Sequence, residues 1–412
     1  VKNYRKKILF GTTVGIALFA IFFRLNPLQA KTKYSKRNIA LSLSDAMEKN
    51  EFPSSGSVVL DEQSASGQFK YSLDESLQEH MEKLFSQYKP DYGAFVALDP
   101  KTGAILSLLS YTREKKNTGN LALKASFPAA SIFKIVTAAA AFDKNKANPE
   151  TVVSFTGANH TLYRQNLKPP KSKRWVRKMR LREAFARSVN TVFGKLGIYT
   201  VPKEDLNHYA EKFQFNQVIP ADLPVETGTF EFSGEDPLSV AEIASGFNRN
   251  VLMSPLQGAM IGGAIANNGA MMEPYLVESF QPDKPGISYQ AEPRPMGQVV
   301  SSETARELRT MMQDTVRVGT SRKSFRDLVR KSIRADLEMG GKTGSLTGTS
   351  PKGKYDWFVG YAKKGERSIA MAALTINEEN WRVKSSYLAR TAVESFFGPE
   401  IKIARAKKKN KR

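Results

Sequence analysis

Ser131 and Lys134, in FPAASIFKIVTAAAAF (127–142), place a hydroxyl and an amine three residues apart in an otherwise apolar run. On a helix, positions i and i+3 share a face, so the amine can reach the hydroxyl oxygen. A serine hydroxyl becomes an effective nucleophile only when a base takes its proton. A lysine kept neutral by burial and nearby cations can be that base near pH 7. Ser188 and Asn190, in REAFARSVNTVFGKLG, add a hydroxyl that could relay a proton and an amide that could hold a carbonyl. Two residues apart, they can point the same way from an extended loop. The third group is Lys342-Thr343-Gly344-Ser345. On a strand, Thr343 and Ser345 face one side, which suits two hydroxyls to one carboxylate. Gly344 admits a close neighbour to the backbone, and Lys342 supplies a fixed positive charge. A phosphate-binding loop at GGKT is excluded, because Asp336 stands where that motif needs a glycine. Taken singly, each group also fits a structural role, a snorkelling lysine or a helix cap among them. Their chemistry depends on being brought together.

The elements must close gaps of 57 residues (Ser131 to Ser188) and 154 residues (Ser188 to Lys342). YSLDESLQEHMEKLFSQY reads as a helix capped by Asp74, with Leu77, Met81 and Leu84 on one face. In GAFVALDPKTGAILSLLSY two apolar runs flank a turn-forming DPKTG, a hairpin signal. A mostly helical middle runs to about Gln298. Within it, SPLQGAMIGGAIANNG is too short and glycine-broken for a membrane span and reads as a core helix. EMGGKTGSL, YDWFVGYAKKGE and RSIAMAALTINEE read as three strands, and KSSYLARTAVESFF as a closing amphipathic helix. The expected fold class is α+β. It has an antiparallel sheet of about five strands, built from both ends of the domain and flanked by helices, with a mostly helical second lobe.

The 412 residues contain no cysteine, which excludes thiol chemistry and cysteine-ligated metals and suits an exported chain. His80, His160 and His208 have no ligand-like spacing, so neither metal nor cofactor is expected. The net charge of +22 is concentrated. The first seven residues, the segment KPPKSKRWVRKMRLR (168–182) and the last eight account for 18 of it. A basic surface of this kind can meet any polyanion, but nucleic acid would explain the charge and none of the motifs. Residues 8–23 follow a basic flank and form an uncharged apolar stretch. Sixteen helical residues span about 24 Å against a hydrocarbon core of about 30 Å, a gap that Lys6, Lys7 and Arg24 can close by snorkelling. A retained anchor is expected there rather than a cleaved leader, because Leu28 occupies a cleavage-site position that wants a small residue. The expected order is a basic end (1–7), an anchor (8–24), a linker or short irregular pedestal (25–70), the main domain (71–398) and a basic tail (399–412).

With all three groups in order, the chain resembles the transpeptidase domains of penicillin-binding proteins, serine acyl-transferases that share S-x-x-K and K-T-G motifs with β-lactamases. The likeness covers roughly residues 71 to 398 and includes SLDESLQ, LREAFARSVNTVFGKLG, SPLQGAMIGGAIANNGAMMEPYLV and DWFVGYA. The resemblance implies that Ser131 is the acylated nucleophile and Lys134 its base. It implies that Ser188 shuttles a proton, Asn190 holds the substrate amide and Lys342 polarises the relay. Thr343, Gly344 and Ser345 would form the substrate-binding strand, with Thr343 and Ser345 on the terminal carboxylate of a D-alanyl-D-alanine peptide. The backbone N–H groups of Ser131 and Ser345 would make the oxyanion hole. Implied partners are peptidoglycan stem peptides, β-lactams, the cytoplasmic membrane and a separate glycosyltransferase, with the catalytic domain outside that membrane. Two rivals share the motifs: a D,D-carboxypeptidase or endopeptidase using water, and a weakly catalytic wall-binding scaffold. Ser345 stands where relatives commonly have threonine, and Phe247 where they often carry glutamine.

Overall fold

Ser35 caps a helix over Lys36–Glu48 (α1) through a reciprocal bond with Asn38, and Ile39, Leu43 and Met47, four residues apart, bury one face. In this computed structural model the described residues are 33–60, 62–114, 118–170, 173–232, 234 and 236–398. The expected basic end, anchor and basic tail lie outside them. Among the described residues no helix is long and apolar enough to cross a membrane.

After α1 comes a hairpin, Ser55–Leu60 (β1) and Gln63–Tyr71 (β2). Next, Asp74 accepts the Leu77 N–H at 2.9 Å and starts a helix at Glu75–Tyr88 (α2), with Leu77, Met81 and Leu84 buried as its spacing requires. The DPKTG turn joins Tyr92–Leu98 (β3) to Ile105–Thr112 (β4). Gly103 makes that turn at φ +82°, and a Cβ there would lie 2.1 Å from the Glu273 carbonyl oxygen.

The helical lobe follows. It includes Lys134–Asp143 (α3), the small hairpin Val152–Phe155 (β5) with Arg177–Arg180 (β6), Asn190–Tyr199 (α4) and Pro237–Ser245 (α5). Pro255–Ala266 (α6) is buried along its whole length. Its glycines let it lie directly on the sheet: a Cβ on Gly262 would sit 2.8 Å from the Gly360 carbonyl. Val277–Pro282 (β7) and Tyr289–Gln290 (β8) come next, and then, beyond further helices, Arg322–Ala335 (α7). Glu338–Thr349 (β9), Lys352–Lys364 (β10), Arg367–Asn377 (β11) and the closing helix Ser385–Phe396 (α8) complete the chain.

The main sheet is antiparallel in the order β9-β10-β11-β3-β4, so both ends of the domain build it as expected. Helix α6 covers one face. Phe85 of α2, Phe325 of α7 and Leu388 of α8 pack with Phe95, Phe358 and Met371 on the other.

Two expectations change. Where a linker or irregular pedestal is expected, Lys36–Glu48 is a helix and Ser55–Leu60 and Gln63–Tyr71 are strands. The middle is also not helical to Gln298, because β7 pairs with β2 and, with β1 and β8, makes a four-stranded sheet. Phe69 and Phe280 meet at 5.0 Å between ring centroids and Tyr34 meets Phe280 at 5.8 Å, inside the same core as α3 and α6. The apolar signal of β2 is only Phe69 and Tyr71, and its partner strand lies some 200 residues on, beyond the reach of local periodicity.

Candidate active site

Ser131 sits in a single 3-10 turn, Ala130–Phe133, that runs directly into α3. The turn is gripped from three sides. Ala129 N–H donates to the Val251 carbonyl at 2.8 Å, Trp357 Nε1 donates to the Pro128 carbonyl at 2.9 Å, and Gly344 of β9 lies against Ile132 and Ala130. A Cβ on Gly344 would stand 3.3 Å from Ile132 Cγ1, so glycine is what lets the strand close on the turn. Ala130 is held at φ +48°, a left-handed conformation that costs a non-glycine residue about 1–3 kcal/mol.

Lys134 has no exposed surface, and its Nζ lies 2.8 Å from Ser131 Oγ and 2.8 Å from Asn190 Oδ1. The amine also donates to the backbone carbonyl of Ser245, the last residue of α5. Burial first, and the charge of Lys342 second, hold the Lys134 amine well below the usual lysine range. The Phe193 ring centroid is 5.7 Å away. These surroundings favour a neutral amine able to accept a proton from Ser131.

Ser188 and Asn190 do not leave an extended loop together. Ser188 turns the chain at φ +56° and Asn190 begins α4, so the two side chains serve different lysines. Lys342 Nζ donates to Ser188 Oγ at 3.0 Å and to the Thr343 carbonyl at 2.8 Å. Asn190 turns its amide oxygen to Lys134 and donates through Nδ2 to the His160 carbonyl at 2.9 Å. Lys342, expected to carry a fixed charge, is fully buried, and desolvation pulls its pKa to about 7. Its charge is conditional, because there is no buried acid among its partners to hold the proton.

Thr343 and Ser345 share a strand face as alternation demands. Thr343 Oγ1 is hydrogen-bonded to Thr320 Oγ1, and Ser345 Oγ donates to Asp356 Oδ1 at 3.2 Å. Asp356 is buried, accepts the Ser385 N–H at 2.7 Å and lies 3.3 Å from Lys384 Nζ. Phe247, flagged in the sequence, is 42% exposed. Its loop is tied to the far end of β9 by Arg249, whose Nε donates to the Thr347 carbonyl at 2.9 Å.

All three motif groups therefore come together where the edge strand β9 meets the helical lobe. Sequence reasoning missed the groups that hold them: the Ser245 carbonyl, His160, Thr320 and Asp356. A backbone carbonyl has no signature in sequence, and a single histidine 28 residues before Ser188 offers no spacing to read. One signal was available for Gly246, which ends α5 at φ +67°: Ser-Gly at the end of an apolar helix reads as a C-cap.

This arrangement of a buried lysine on a serine, with two further hydroxyls on an edge strand, defines a serine acyl-transferase class. The chain belongs to the penicillin binding protein transpeptidase domain family, whose model matches residues 93–395. It is 28% identical over 319 residues to the peptidoglycan D,D-transpeptidase PbpA of Mycolicibacterium smegmatis, covering 69% of this chain and 62% of that protein. It is 26% identical to the stage V sporulation protein D of Bacillus subtilis, over 73% of this chain and 48% of the relative. The chain thus spans less than two thirds of the length of these curated relatives. Among solved structures, the D,D-transpeptidase domain of a peptidoglycan glycosyltransferase from Eggerthella lenta superposes with a TM-score of 0.64 at 25% identity, covering 81% of this chain and 84% of that one. Penicillin-binding protein A of Mycobacterium tuberculosis, solved as a ceftriaxone acyl-enzyme complex, shares the fold with a TM-score of 0.66 at 24% identity, covering 80% of each chain.

Proposed function

We propose that this protein is a peptidoglycan D,D-transpeptidase that works through a Ser131 acyl-enzyme. The observation that carries the reading is the fully buried Lys134 amine 2.8 Å from Ser131 Oγ. In the first step Ser131 Oγ attacks the penultimate D-alanine carbonyl, and its proton passes to Lys134. The C–N bond to the terminal D-alanine breaks, and the leaving nitrogen takes a proton through Ser188, which Lys342 keeps oriented. An amine from a neighbouring stem peptide then attacks the ester, forms the cross-link and frees Ser131. Asn190 holds the Lys134 amine in line, and the second hydrogen of its Nδ2 is left for a substrate carbonyl. Thr343, with Ser345 beside it, faces the terminal carboxylate.

β-Lactams would acylate the same serine. We place the domain outside the cytoplasmic membrane, held by the apolar segment at 8–24, with a separate glycosyltransferase supplying glycan. The test is incubation with a labelled penicillin, wild type against Ser131→Ala. A covalent adduct on the wild type alone is expected, and its absence refutes the enzyme reading. Incubation with a D-alanyl-D-alanine peptide, with and without an amine acceptor, then reads the products. An amide-linked product is expected, and hydrolysis alone would reassign the chain as a carboxypeptidase.

A further inference from the structure

Thr320 Oγ1 and Thr343 Oγ1 are hydrogen-bonded at 2.5 Å, a side-chain bond between β9 and the turn that follows the helix Ser302–Arg317. That turn is held from behind. Thr320 N–H donates to the Ala186 carbonyl at 3.0 Å, and a Cβ on Gly319 would stand 2.3 Å from the same oxygen. Ser321 is buried and donates through its N–H and its Oγ to the Thr315 carbonyl, at 3.3 and 3.0 Å. Arg182, from the basic run, meets Asp314 at 2.8 Å and ties the end of that helix to the segment leading to Ser188. Thr320 thus has its backbone on the Ser188 side of the site and its hydroxyl on β9.

A threonine hydroxyl has one hydrogen to give. Whichever of the two donates, the other keeps its hydrogen, and among the described residues neither side chain has a further partner. Thr320 is exposed and Thr343 half-buried, so that hydrogen is open to a ligand. An arriving carboxylate can take both hydrogens, one on each oxygen, in place of the mutual bond. Lys342 Nζ donates to the Thr343 carbonyl at 2.8 Å, which puts the buried amine beneath this pair. Ser345 is differently placed. Its one hydrogen goes to Asp356 Oδ1 at 3.2 Å, and Asp356 is a buried acid. A substrate carboxylate at Ser345 would have to displace that bond and then face the acid.

We propose that Thr320 is a substrate-binding residue, pairing with Thr343 to hold the terminal carboxylate of the donor peptide or of a penicillin. This rests on the proposed Ser131 chemistry and adds a residue that none of the three motif groups contains.

The experiment measures the second-order rate of acylation of the full chain by penicillin G, with thermal unfolding alongside. Penicillin G methyl ester, which lacks the free carboxylate, is the second probe. Thr320→Val keeps the shape and removes the hydroxyl, whereas Thr320→Ser keeps the hydroxyl. With penicillin G, Thr320→Val should be slower by about tenfold or more, the effect of losing a hydrogen bond to a charged group. Thr320→Ser should retain most of the rate. With the ester, Thr320→Val and wild type should react alike, so the preference for the free acid falls in the valine variant. The proposal is overturned if Thr320→Val acylates at the wild-type rate, or if acid and ester lose equally. It is equally overturned if Thr320→Ser is as slow as Thr320→Val, or if unfolding at the assay temperature accounts for the loss. A wild type that forms no adduct with penicillin G refutes the Ser131 reading, and this one with it.

Discussion

Lys134 and Lys342 put two amines into one buried corner, and among the described residues no carboxylate pairs with either. A group whose folded pKa is lowered binds fewer protons folded than unfolded between its two values, so stability rises with pH across that window. For Lys342 the window runs from about 7 to the ordinary 10.5. Between pH 7.5 and 9.5 the wild type should gain stability at up to about 1.4 kcal/mol per pH unit from this one proton. Lys342→Met removes the titration, and urea unfolding across that range should show a flatter slope. Equal slopes would mean that Lys342 stays charged in the folded protein. Acylation by Ser131 should weaken on the acid side for the same reason, because a protonated Lys134 cannot accept the serine proton.

Among the elements, α5 matters most for where it stops. Its last residue offers the Ser245 carbonyl to Lys134, and Gly246 then turns away in the left-handed region. A Cβ on Gly246 would lie 1.9 Å from the Ala130 carbonyl oxygen and 3.0 Å from Ser131 N. Gly246→Ala therefore meets both a conformational cost and a collision with the nucleophile turn. It should lose about 2 kcal/mol or more of stability and at least tenfold in penicillin acylation, read by unfolding and by labelled-adduct formation. Wild-type acylation in that variant would show that the turn tolerates displacement. The ends of α2 and α5 were both legible, since Asp74 and Gly246 are residues whose chemistry belongs to helix termini. The turn at Ser188 was not: nothing local marks a serine that must adopt a positive φ.

At the scale of the whole molecule, the pedestal and the catalytic body share one core. Phe280 is fully buried between Tyr34 and Phe69, yet belongs to a strand that the chain reaches only after the helical lobe. Phe280→Ala should cost about 3–5 kcal/mol. The pedestal and the active-site lobe should still unfold in one transition, followed by near-UV circular dichroism and by loss of penicillin adduct across a urea series. Two separated transitions would show that the pedestal folds independently. Its ion pair, Lys36 to Glu273 at 2.9 Å and largely buried, joins the same two regions.

The sequence by itself determined which groups could react and which local elements carry them: Ser131 with Lys134, Ser188 with Asn190, the Lys342 strand, the capped helix at Asp74 and the strands of the main sheet. These are legible because helix and strand periods fix which near neighbours share a face. Only the tertiary structure decided that Lys134 is fully buried, that Lys342 holds a conditional charge, and that Ser188 and Asn190 answer to different lysines. It also decided that β2 pairs with β7, and that the His160 carbonyl takes the Asn190 amide. Each of these depends on desolvation or on contacts between residues far apart in the chain, and no short-range pattern encodes either.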